Sequence, residues 1–331
     1  MSLQAGIGFS SAADVVAFID AATIDPEAAS VVTDMRITLH NQIPPQALRQ
    51  CLAITPNLED LILFLPRDSP EDILDDVHLP RLQLFKTNLP HGSILHFLST
   101  HDTLSDLCLG ACGRDERAAS CPLSTLYLNG VRVVECPIGC VRAVAHPALD
   151  RLTGEIHPRS LSSGPTILRS IPVPLASLSA LTLDFYADDY DILQSIVRVA
   201  PGLQKLKLLE RPRAYRRQSH ARRAWNDAAS WSVNLLRLQW LEELAIRTAS
   251  SVIRSSRDVD SEGKTLMRWV ARSSRAAKRP IRAIEHPTLT SLRLWYRVRE
   301  PAGGILTYWS KSSGSWKNIL RAAPPPPDTF F

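Results

Sequence analysis

Apolar residues along this chain recur in one phrase, Leu-x-x-Leu-x-Leu. Complete copies begin at Leu58, Leu104, Leu123, Leu178, Leu203 and Leu289. A conservative copy runs Leu241-Leu244-Ile246, two degraded ones run Leu82-Phe85-Thr87 and Leu149-Leu152-Gly154, and residues 32–39 hold a worn opening copy. The second and third apolar positions are two apart, so in a strand they point to the same side and into a core, while the residues between them face the other way. A proline stands one or two residues before the first leucine in six copies (Pro56, Pro80, Pro122, Pro147, Pro201 and Pro287). Proline cannot continue a helix and biases its predecessor toward extended backbone, so each proline closes one helix and admits the next strand.

The segments between phrases read as helices. Ser69-Pro70-Glu71-Asp72 has the form of an N-cap, a first-turn proline and two acids, leading into Ile73 and Leu74. Leu48, Cys51 and Leu52 share one helical face, as do Ile192, Leu193, Ile196 and Val197. Units of this kind bury their apolar side only against neighbours. The expected fold is therefore an α/β irregular leucine-rich repeat solenoid, with parallel strands on a concave face and helices on the convex one. Residues 1–30 are expected to form a helical cap with a helix near 14–22, and residues 31–210 the repeats. An arginine-rich insertion follows at 211–236. C-terminal repeats occupy 237–300, with a basic insertion near 250–283, and a segment with a proline-rich tail fills 301–331.

This phrasing is similar to the leucine-rich repeat region of the large fungal F-box protein families. The likeness spans residues 32–296 and includes the pre-strand phrases His146-Pro147-Ala148-Leu149, His286-Pro287-Thr288-Leu289 and Leu79-Pro80-Arg81-Leu82. The resemblance implies a repeat domain that captures substrates for a cullin ubiquitin ligase, to which an N-terminal F-box docks through a Skp-type adaptor. Residues 1–66 contain no phrase of the F-box kind, so the repeat part of the pattern stands here by itself.

Composition narrows the partners. The 331 residues are 45 % hydrophobic and 21 % charged, ordinary for a chain with a large core. No apolar run reaches the roughly 18–20 residues of a membrane helix, and no secretory start is visible, so an intracellular location, cytoplasmic or nuclear, is expected with no membrane partner. The net charge of +5 conceals a division. Residues 1–200 hold 13 lysines and arginines against 23 acids, and residues 201–331 hold 25 against 10.

Candidate chemistry is limited. There is no P-loop, no Gly-x-Ser-x-Gly and no His-Glu-x-x-His, so neither an enzyme nor a cofactor is expected. Cys108-x-x-x-Cys112, Cys121 and Cys136-x-x-x-Cys140 have spacings a zinc site permits, with His146 and His157 downstream. The repeat accounts for Cys108 and Cys112 without a metal. Cys108, between Leu107 and Leu109, faces outward from the core. Cys112, three residues after Leu109, takes the turn position where the repeat often places Asn or Cys, so the two point in different directions. Reduced structural thiols and no metal are the expectation. Residues 211–223 contain six arginines, with Tyr215 among them. Arg216, Arg217, Arg222 and Arg223 are candidate nucleic-acid contacts, and a second basic cluster runs from Arg268 to Arg282. The protein-binding candidates are the residues expected to face outward from the strands: Asp60, Ile62, Lys86, Asp106, Thr125, Tyr127, Arg151, Lys205, Lys207, Arg293 and Trp295. Protein recognition is thus the leading expectation. A nucleic-acid-associated protein and a truncated gene product without retained activity are the alternatives.

Overall fold

The computed structural model describes residues 5–113, 120–156, 163–212, 223–248, 252, 259–272, 284–298 and 303–322. The chain divides into two compact units, Met1–Leu149 and Asp150–Phe331, both of mixed α/β character. Among the described residues no helix is long and apolar enough to cross a membrane.

In the first unit, strands β1 (Ala5–Phe9), β2 (Val32–Thr38), β3 (Asp60–Phe64), β4 (Leu84–Thr87), β5 (Asp106–Leu109) and β6 (Val133–Pro137) pair in chain order, all parallel. The phrase explains both the core and the register. Leu58, Leu61 and Leu63 are fully buried, and so are Leu82 and Phe85 in the next unit. The carbonyl just before each strand accepts two amides from the following repeat: Glu59 O from Gln83 and Leu84, Gln83 O from Ser105 and Asp106, Ser105 O from Arg132 and Val133. This shared acceptor steps the register by one strand per repeat and saturates backbone that the pre-strand turn would otherwise leave unpaired.

The N-terminal helix α1 (Ala12–Ile24) starts with a reciprocal capping box in which Ser11 and Asp14 each accept the other's backbone amide. The strand β1 ahead of it was not foreseen. It adds Phe9 to the core, 5.3 Å from the Phe18 ring. Helix α2 (Pro26–Ser30) follows α1, and α3 (Pro45–Ala53) buries Leu48, Cys51 and Leu52 as expected. The other α-helices among this unit's described residues are α4 (Leu95–Ser99) and α5 (Val141–Val144). Residues 69–76 do not form the expected helix. They are a run of turns that buries Ile73 and Leu74, with Asp76 at φ 61°.

The Leu123 copy is also corrected. Pro122–Thr125 is a 3-10 turn, and the strand of that repeat is β6, for which Val131, Val134 and Cys136 supply the buried triple. Val and Cys fill the same inward positions as Leu, so the true phrase was disguised by composition, and an intact leucine phrase stood just upstream.

The second unit holds β7 (Arg151–Glu155), β8 (Ala180–Tyr186), β9 (Lys205–Arg211) and β10 (Glu243–Arg247), joined in parallel by β13 (Ser291–Val298). A short antiparallel ribbon, β11 (Ala271–Arg272) with β12 (Ile284–Glu285), lies apart from this sheet. Then β14 (Gly303–Ser312) and β15 (Ser315–Ala322) continue it antiparallel. Their turn places Ser313 at φ 51° and Gly314 at φ 77°, the pair of positive values a two-residue type I′ hairpin needs. This hairpin lies within a segment read from sequence only as a C-terminal stretch.

On the helix side, α6 (Gly164–Ser170) comes first, and α7 (Ile192–Val199) buries its apolar face as expected. Helices α8 (Ala228–Leu235) and α9 (Val259–Val270) contribute Trp231 and Trp269, whose rings lie 5.9 Å apart, and Trp269 Nε1 donates to Trp225 O at 3.1 Å. Part of the expected basic insertion is therefore a packed helix: α9 buries Glu262, Leu266, Trp269 and Val270 and exposes Arg268.

Candidate recognition surface

On every repeat strand the positions between the buried ones lie on the opposite face of the sheet. The register then aligns them into rows. In the first unit one row runs Asp34, Asp60, Leu84, Asp106 and Val133, and the next runs Arg36, Ile62, Lys86, Cys108 and Glu135. Asp60, Ile62, Lys86 and Asp106 thus stand where the sequence placed them. The three aspartates make an acidic row. Asp60 is raised above the usual carboxylate value, first by partial burial and then by the charge of Asp34 beside it. Cys108 faces this surface with its thiol 3.8 Å from Glu135, and burial followed by that carboxylate pushes it up to about 11.

Thr125 and Tyr127 are not on the face. Thr125 ends the 3-10 turn. Tyr127 is 93 % exposed at the rim of a cavity of about 390 Å³ lined also by Leu98, His101, Leu104 and Val131. Their displacement follows from the shifted repeat.

The second unit presents a different chemistry. Its rows run Arg151, Ala180, Lys205, Glu243 and Ser291, then Thr153, Thr182, Lys207, Ala245, Arg293 and Tyr308, then Asp184, Leu209, Arg247, Trp295 and Leu306. Arg151, Lys205, Lys207, Arg293 and Trp295 all stand where expected. Lys205 Nζ pairs with Glu243 across the strands at 3.2 Å. The Arg247 guanidinium lies 4.4 Å from the Trp295 ring centre and that of Arg293 lies 5.6 Å from the Tyr308 ring centre. These cation–π contacts hold each guanidinium against an aromatic face, a setting in which arginine suits carboxylate recognition.

At one end of this surface Arg211 Nε donates to Asp184 Oδ2 at 2.8 Å, and the Ile156 amide donates to the same oxygen at 2.8 Å. Burial raises the Asp184 pKa, and Arg211 offsets part of the rise. Arg247 and Tyr308 were missed. Arg247 was legible as the position after the third apolar residue, the place Trp295 occupies in its own strand. Tyr308 comes from the unforeseen hairpin.

Arg216, Arg217 and Arg222 lie outside the described residues, as do Arg275, Lys278, Arg279 and Arg282 of the second cluster. Arg223 is described, and its position corrects its assignment. It is only 6 % exposed, its Nη1 lies 2.5 Å from Glu210 Oε1, and Glu210 is itself buried. That guanidinium is committed to the core. A separate group of donors, His91, Cys112, Cys121 and Cys140, gathers away from the sheet face at the exits of β4, β5 and β6.

No family model matches the chain, and no curated protein is significantly similar to it.

Proposed function

We propose that this chain is an irregular leucine-rich repeat protein whose work is non-enzymatic protein recognition, and that the strand face of its second unit is the principal docking surface. One observation carries the reading. Arg151, Lys205, Lys207, Arg247 and Arg293 stand in register on one sheet face with Trp295 and Tyr308, two of the arginines lying over those rings. Arginine beside aromatic side chains is the composition of interaction hot spots, and a pre-ordered cationic face suits an acidic segment of a partner protein. Capture of substrates for an F-box-type ubiquitin ligase, joined to a Skp-type adaptor and cullin, is the specific form that the sequence resemblance gives to this activity.

The test is affinity purification of the nuclease-treated full chain beside a Lys205→Glu, Lys207→Glu, Arg293→Glu variant with an unchanged melting temperature. Reversing three aligned charges is expected to deplete the main wild-type protein partner by more than about tenfold, since close charge pairs across interfaces couple strongly. Recovery of a Skp-type adaptor and cullin with the wild type would support the ligase form. An unaltered partner set would remove this face as the docking surface. Binding that disappears on nuclease treatment would move the chain to the nucleic-acid class.

A further inference from the structure

The turns that leave β4, β5 and β6 bring together four groups that the chain order keeps apart. His91 opens the 3-10 turn His91–Ile94 after β4, and its amide donates to Cys112 O at 3.2 Å. Cys112 follows β5. Cys121 sits just before the turn Pro122–Thr125, and Cys140 closes the turn Ile138–Cys140 after β6. One donor atom from each, the imidazole nitrogen and three sulfurs, all lie within 4.8 Å of one another. His91, Cys121 and Cys140 are buried and Cys112 is half-buried.

Donor atoms this close can share one tetrahedrally coordinated ion. Metal–sulfur bonds of about 2.3 Å and metal–nitrogen bonds of about 2.0–2.1 Å give edges of roughly 3.8 Å between sulfurs and roughly 3.6 Å between sulfur and nitrogen. Cys112 Sγ and Cys121 Sγ are 3.8 Å apart, and His91 Nδ1 is 3.2 Å from Cys121 Sγ. The other ring nitrogen, Nε2, lies 3.3 Å from Gly110 O. Donation from Nε2–H to that carbonyl fixes the tautomer in which Nδ1 carries its lone pair toward the three sulfurs, the arrangement that orients metal-bound histidines.

The backbone is shaped for this approach. A Cβ on Gly110 would come within 2.9 Å of Asn88 Cα, and one on Gly113, at φ +78°, within 2.7 Å of Pro90 Cβ. Only glycine at both positions lets the exit of β5 lie against the exit of β4 and deliver Cys112 to His91.

We propose that His91, Cys112, Cys121 and Cys140 form a structural zinc site. Three thiolates and one imidazole are the donor set of a closed tetrahedral zinc centre, with every position filled by protein and none left for substrate. Zinc here ties three successive repeats at a place where their helices are short: α4 (Leu95–Ser99) has five residues and α5 (Val141–Val144) has four. A disulfide is the competing use. It requires sulfurs at about 2.05 Å and would occupy two of the donors, leaving the third thiol and the aimed imidazole without purpose. The site is independent of the docking reading, since it lies off the strand face and its test needs no partner.

The experiment uses the full chain, purified without chelators or metal-affinity resin. Elemental mass spectrometry and zinc release by a mercurial are expected to find about one zinc per chain. Cys121→Ser and Cys140→Ser are expected to lose it, and Cys108→Ser, whose thiol faces Glu135 instead, is expected to keep it. Because a ligand variant can fail to fold, cobalt exchange into the wild-type chain supplies a second reading. Intense visible bands with sulfur-to-cobalt charge transfer support a thiolate-rich tetrahedral site. Weak octahedral bands, a wild-type chain that takes up no added zinc, a Cys112–Cys121 disulfide in the isolated protein, or undiminished zinc in Cys121→Ser would each overturn the proposal.

Discussion

Replacing Glu262 by leucine is expected to destabilise the second unit by about 3–5 kcal/mol, the range for breaking a buried charge network. The carboxylate is fully buried on α9 and accepts three donors: Tyr296 Oη at 2.5 Å, Trp309 Nε1 at 2.6 Å and Arg321 Nη1 at 3.0 Å. Those donors come from β13, β14 and β15, so one side chain fastens a helix to three successive strands. Arg321 Nη2 also donates to Tyr296 Oη at 3.2 Å, closing the network. Leucine would take the acceptor from a buried phenol O–H and an indole N–H, and each orphaned donor costs more than a formed bond contributes. Burial, and then the bond donated to Glu262, raises the Tyr296 pKa, as expected of a phenol kept protonated. Glu262→Gln retains an acceptor oxygen and should fall between the leucine variant and wild type. Urea unfolding followed by tryptophan fluorescence reads the effect directly, because Trp309 belongs to the network. A loss below about 1 kcal/mol, the scale of an exposed ion pair, would show that the network contributes little.

Arg223→Ala carries the second large effect, also about 3–5 kcal/mol, because it takes from the buried Glu210 carboxylate the guanidinium that it pairs with. The pair is internal on both sides: Arg223 is 6 % exposed, Glu210 is 5 % exposed, and the guanidinium additionally lies 5.4 Å from the Trp225 ring centre. The same reasoning gives the companion result. Arg223→Met combined with Glu210→Leu should recover most of the loss, since apolar groups of similar volume replace a buried pair at little net cost. Calorimetric unfolding of Arg223→Met, Glu210→Leu and the double variant forms a cycle that isolates the coupling. If Arg223→Ala unfolds like wild type while nucleic-acid affinity falls, the guanidinium works at a surface and the packing described above is wrong.

The parallel α/β order was legible because the phrase encodes it twice, in the pair of inward leucines and in the proline that stops each helix. The strand-face residues from Asp60 to Trp295 were legible for the same reason, since period-two alternation fixes which side chains share a face. Errors arose where a residue type could stand in for another. Val131, Val134 and Cys136 fill a leucine triple without looking like one, which moved Thr125 and Tyr127 off the sheet.

Other features depend on neighbours that chain order does not reveal. Glu262 meets donors 34, 47 and 59 residues away. The cysteines were paired by spacing, Cys108 with Cys112 and Cys136 with Cys140. The fold instead draws one member from each pair, because Cys108 faces out from β5 and Cys136 points into the core of β6. His91 gave no signal, standing 21 residues from Cys112 with a whole strand between them.

The central claim, recognition of a protein by the second unit's strand face, is tested most directly by site-specific photo-crosslinking in cells. A photoreactive residue at Lys205 or Arg293 samples that face, and one at Gln194, exposed on α7, samples the helix layer. The account predicts that both strand positions crosslink to the same protein and that Gln194 does not. Crosslinks confined to Gln194, or strand-face crosslinks made only to nucleic acid, would contradict it.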